Sequence, residues 1–137
     1  MRKIRLDLVY LISLGLASAF LASVLRNFFY QASFNELIES SFFSEIFSAI
    51  PYFIYIVAFN DFLVAVLLML RIFPKVAAWW AMLWLLAVII VHVSVFSLED
   101  LLDAIEHMGL LAMAIFLVIK SRKQTIVDSP STSSLSA

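Results

Sequence analysis

The sequence has no cysteine, two glycines and three prolines in 137 residues. Without cysteine there is no disulfide, no thiolate metal site and no dithiol relay, which excludes the thiol chemistry of membrane oxidoreductases. Two glycines cannot build the loop that cradles a phosphate, and no serine stands in a G-x-S-x-G turn. Phosphoryl transfer and serine hydrolysis therefore have no motif to rest on. An excess of positive charge is missing too, for the net charge is −1. No basic surface exists to neutralise nucleic-acid phosphates, so nucleic acid is not expected as a partner.

What the chain has instead is apolar surface. Hydrophobic residues make up 64% of it and the mean hydropathy is +1.06, well above the roughly 45–50% apolar share of soluble domains. Such an excess has no water-soluble home and predicts an integral membrane protein. A bilayer core needs about 20 mostly apolar residues per helix, and four stretches qualify, near 6–25, 51–70, 76–96 and 101–119. They predict an all-α, four-helix membrane bundle over residues 1–123, leaving no room for a soluble domain. The remaining segment, 124–137, contains "DSPSTSSLSA", which lacks periodicity and apolar content and reads as a disordered cytoplasmic tail.

Lys and Arg set membrane topology. Arg2, Lys3 and Arg5 precede span one, Arg71 and Lys75 lie between spans two and three, and Lys120, Arg122 and Lys123 follow span four. Only Arg26 falls on the other side. Both termini are therefore expected in the cytoplasm, with the plasma (inner) membrane as the natural location. The opening "MRKIR", its apolar run and "ASAFLAS" also fit a cleaved signal peptide, but the run exceeds the roughly 7–15 residues of such a region. Gly15, Ala19 and Ser23, spaced by four, form a small-residue ridge suited to helix packing and favour a retained span.

Between spans one and two, Phe34, Leu37, Ile38, Phe42, Ile46 and Ile50 recur at helical spacing, opposite Asn35, Glu36, Glu39, Ser40, Ser44 and Glu45. This predicts one outer amphipathic helix ended by Pro51. Its polar face is acidic, so apolar burial against membrane lipid or the bundle must hold it. A lid over a site between the spans is the functional alternative.

The candidate site starts from Asn60 and Asp61, which interrupt the otherwise apolar "YIVAFNDFLVAVLLML" near the middle of span two. An ionised Asp at that depth costs about 2.5–3.5 kcal/mol even on the permissive insertion scale. The plain expectation is an uncharged Asp61 hydrogen-bonded across helices. The sharper one is a polar cluster in which Asp61 is the floor beneath His92, Asp103, Glu106 and His107, all near the outer ends of spans three and four. Asp103 and His107 are four apart on one helix, so the carboxylate is placed to orient the imidazole.

Such a cluster could carry protons or ions along a wetted line, ligate haem through His92 and His107, or hold a divalent metal at His107 with Asp103 or Glu106. No specific motif selects among these, and no catalytic set emerges.

The stretches "NDFLVAVLLMLRIFPKVAAWW" and "AIEHMGLLAMAIFLVIK" resemble the DoxX-like family of small four-helix membrane proteins. The shared order is an acidic residue in span two, an apolar run, a basic turn, and a polar start to a small-residue fourth span. The glycines usual in the family's second helix are missing here. The resemblance implies a membrane subunit linked in some members to quinone-coupled or other redox systems, often beside a catalytic partner. Asp61 would match the family's acidic residue and Glu106, loosely, the polar start of span four. The expected function is accordingly an accessory or ligand-binding subunit that packs with a partner membrane protein or as a homo-oligomer. A proton-coupled transporter using Asp61 with His92, Glu106 and His107 is the alternative, and a bis-His haem protein a further one.

Overall fold

The computed structural model describes residues 7–127, with side chains described as far as residue 121. Six helices follow one another: α1 (Leu8–Phe29), α2 (Gln31–Ser40), α3 (Ser44–Ser48), α4 (Phe53–Leu70), α5 (Pro74–Val95) and α6 (Leu98–Val127). No strand occurs among the described residues. Four helices are long and apolar enough to cross a membrane: α1, α4, α5 and the Leu98–Ser121 part of α6. The protein is thus a small multi-pass membrane protein. Helix α6 runs four residues into the segment expected as a tail, and residues 128–137 lie outside the described residues.

Local chemistry explains where the helices begin. Asp7 caps α1 by accepting the Val9 N–H at 3.1 Å. Pro74 starts α5, where its missing N–H costs nothing. Ser97 caps α6, its hydroxyl oxygen accepting the Asp100 N–H at 3.0 Å. The scarcity of glycine shows at the junctions: Tyr52, Arg71, Phe73 and Phe96 all adopt left-handed backbone conformations that glycine would take without strain.

Helices α1 and α4 pack together, as do α5 and α6, while α1 also meets α6 and α4 meets α5. The core they share is built from Leu16, Ala17, Phe20, Val64, Ala65, Leu68, Ala77, Ala78, Ala81, Leu85 and Ala114. So many alanines let backbones approach closely, which is how apolar helices gain packing energy where lipid is as apolar as they are. The expected small-residue ridge on α1 divides between two neighbours. A methyl added at Gly15 would stand 3.2 Å from Met113 Cε of α6, whereas Ser23 bonds to α4.

The outer connection is two helices rather than one. Ser41 leaves the helix in an extended conformation (φ −76°, ψ 156°), and its hydroxyl donates to the Ile38 carbonyl at 2.8 Å, closing α2. The break turns the second half of the apolar stripe away from its expected face: Phe42 and Ile46 are exposed, while Phe43 and Phe47 are half-buried. Phe47 stacks on Phe53 at the start of α4, ring centroids 4.6 Å apart. Phe34 lies 6.1 Å from the same ring, so aromatic contact seats the pair of short helices over this end of the bundle.

Candidate functional site: a polar seam through the bundle

Asp61, 2% exposed, sits in the interior turn of α4 between α1 and α5. Its Oδ2 accepts the Ser23 hydroxyl of α1 at 2.6 Å, and its Oδ1 accepts the Trp84 indole N–H of α5 at 2.7 Å. One carboxyl group thus joins three helices, with both oxygens engaged. Asn60 beside it accepts the Trp80 indole N–H at 2.9 Å, while its amide nitrogen is buried without a hydrogen-bond partner. The i,i+4 pair Trp80 and Trp84 therefore serves consecutive polar residues of α4.

Toward the end covered by α2 and α3 stand the two histidines. His92 of α5 and His107 of α6 face each other with ring centroids 5.2 Å apart. His107 Nδ1 lies 2.7 Å from the Asp103 backbone carbonyl; a carbonyl only accepts, so this nitrogen carries the proton. His92, 4% exposed, places its Nδ1 3.3 Å from the Asp100 carboxylate. Asp100 is held in turn by a short hydrogen bond from the Ser97 hydroxyl. Neither Nε2 has a hydrogen-bond partner among the described residues. Both rings thus have a Nδ1 that is held and, when neutral, an Nε2 lone pair that is not.

The polar seam has two parts: Asn60 and Asp61 with Ser23, Trp80 and Trp84 in the middle of the bundle, and His92 and His107 with Asp100 and Ser97 toward one end. Asp103 is at its rim, but its carboxylate does not orient His107. It pairs instead with Arg26 of α1 at 3.1 Å, and only its backbone carbonyl meets the imidazole. Glu106 stays outside: it is exposed on α6, with no hydrogen bond or ion pair among the described residues. The helix geometry explains this, because neighbouring residues point about 100° apart and His107 takes the inward direction.

Trp84, Asp100 and Ser97 complete the seam without having been singled out by the sequence, and Ser23, expected only as part of a packing ridge, joins them. Ser97 was legible in principle, since "SLED" has the S-x-x-D spacing of a capped helix start. Trp84 was legible only as a donor that a buried carboxylate needs. Asn27 of α1, also buried, leaves its amide nitrogen without a partner.

The donor set bears on the chemistry. No group of three or more His, Asp and Glu suited to a metal ion occurs among the described residues. His92 and His107 are the two imidazoles that would hold a haem iron, their ring centroids 5.2 Å apart. When neutral, their Nε2 lone pairs are also suited to accept O–H or N–H groups. Comparison with known proteins gave no match to a family model, a curated protein or a solved structure.

Proposed function

We propose that this protein is an accessory membrane subunit that holds the polar head of a lipid-soluble ligand at the His92–His107 pair. The carrying observation is the two touching imidazoles, each with Nδ1 satisfied and Nε2 free. Such a pair accepts the hydroxyl groups of a quinol, and the apolar helices suit its tail. A quinone-class ligand is also what the resemblance of spans two to four to DoxX-like proteins implies. The basic residues at the Arg71–Lys75 turn and after span four support an orientation with both termini in the cytoplasm, which puts the histidines in the outer half of the bilayer.

The test is equilibrium binding of a short-chain benzoquinol to the detergent-purified protein, followed by quenching of tryptophan fluorescence. Binding that weakens about tenfold or more in His107→Phe and His92→Phe supports the reading, since each loses an acceptor worth roughly 1–2 kcal/mol. Equal binding by wild type and both variants, or none by any, overturns it.

A second reading rests on the buried Asp61 in the middle of α4 together with the His92–His107 pair nearer one end of the bundle. Proton-coupled transport would use a line of such groups. Under this reading Asp61→Asn abolishes flux in proteoliposomes while leaving the fold intact.

A further inference from the structure

The two imidazoles are held by groups of different charge. His107 Nδ1 donates to a carbonyl of its own helix, that of Asp103, at 2.7 Å. The Asp103 carboxylate turns away to Arg26 at 3.1 Å, so its charge is already paired. His92 Nδ1 lies 3.3 Å from Asp100 Oδ1 on the neighbouring helix. A carboxylate only accepts, so this nitrogen too carries the proton. Among the described residues no Lys or Arg pairs with Asp100.

Asp100 is itself fixed in place. Its Oδ2 accepts the Ser97 hydroxyl, and its N–H donates to the Ser97 oxygen at 3.0 Å. It stands in the first turn of α6, where unpaired backbone N–H groups suit a negative charge. Its side chain is 20% exposed, so the carboxylate reaches from the edge of the bundle to the buried His92 ring.

This difference sets how well each Nε2 accepts. When a lone pair takes a hydrogen bond, positive charge builds on the imidazole in proportion to how far the donor's proton is shared. At His92 the Asp100 carboxylate compensates that charge across Nδ1–H, whereas at His107 an uncharged carbonyl does so far less. His92 is the stronger acceptor of the two. Its advantage grows with the acidity of the donor, so a phenolic hydroxyl gains more from it than an alkyl one.

We propose that the His92–His107 pair selects phenolic over aliphatic hydroxyls, that His92 is the selecting acceptor, and that Asp100 is its positioning residue. This deepens the ligand reading above and rests on it: it names the donor class and makes the two histidines inequivalent.

The test uses 4-methoxyphenol, phenol and 4-cyanophenol, whose hydroxyls increase in acidity in that order, with cyclohexanol as the aliphatic control. Calorimetric titration of the full chain in detergent, at a pH where every ligand is un-ionised, reads the affinities. Wild-type affinity should rise about tenfold along the series and be weakest for cyclohexanol. Asp100→Asn keeps an acceptor for the Ser97 hydroxyl but loses the charge, and should flatten the rise to less than about threefold. His92→Gln should flatten it as well, while His107→Gln should weaken all four ligands by a similar factor and leave the rise in place. A purely structural Asp100 would lower every affinity equally, so a rise that survives Asp100→Asn or His92→Gln overturns the proposal. So does a wild-type series that binds without any rise, an outcome that leaves the histidine site standing without the selection. No binding of any ligand overturns both this inference and the reading beneath it.

Discussion

The indole of Trp84 and the carboxyl of Asp61 meet at 2.7 Å across the α4–α5 boundary, and the other Asp61 oxygen takes the Ser23 hydroxyl of α1. Lipid offers no water to satisfy a polar group, so a buried carboxyl must find its donors within the protein. Here it finds one on each neighbouring helix. Asp61 is therefore first a tie between helices, and chemistry at the seam depends on the His92–His107 pair.

Asp61→Asn and Asp61→Leu should separate. Asparagine can still accept from Trp84 and donate to the Ser23 oxygen, so a loss under about 1 kcal/mol is expected. Leucine leaves two donors without acceptors, at roughly 1–3 kcal/mol each. Denaturant titration in detergent reads the difference; a leucine variant as stable as wild type would mean that the tie contributes nothing.

The two glycines should differ in the isolated protein. At Gly15→Leu the new Cβ stands 3.2 Å from Met113 Cε, so the gain of about 1 kcal/mol from replacing a helical glycine should be reduced or cancelled by that crowding. Gly109→Ala meets open space and should be neutral or stabilising by up to about 1 kcal/mol. Thermal unfolding of both variants checks the contrast.

Ser97→Ala removes the α6 cap and the hydroxyl that holds Asp100. A loss of about 1 kcal/mol is expected. Faster amide exchange should appear in the first turn of α6, and freeing Asp100 should weaken benzoquinol binding at His92. Unchanged exchange there would count against the cap.

Phe96→Gly should stabilise the α5–α6 turn. Phe96 is 90% exposed with φ 57°, so its side chain packs on little within the chain while its backbone is strained. Relief of about 1 kcal/mol is expected, and a lower unfolding temperature would show that the exposed ring matters more than the backbone.

Span lengths, the polar interruption at Asp61 and the histidines near the ends of spans three and four were legible in the residues themselves. Composition and run length alone decide whether a helix can cross a bilayer, and an ionisable residue in such a run stands out against it. The partners were not. Whether Asp61 meets Ser23 and Trp84, or Asp103 turns to Arg26 instead of His107, depends on the rotation and tilt of apolar helices whose faces are nearly alike. The break at Ser41 was hidden for a related reason: the apolar period continues through it, and only a side-chain bond to the Ile38 carbonyl closes the first helix.

The sequence by itself determined that this is a four-span membrane protein with costly polar groups inside, because transfer free energy is a property of each residue and adds along a run. The tertiary structure alone decided which of those groups face inward. Asp61, His92 and His107 share a seam and Glu106 does not, since packing of small residues sets each helix's rotation and a change of one residue along a helix turns the side chain by about 100°.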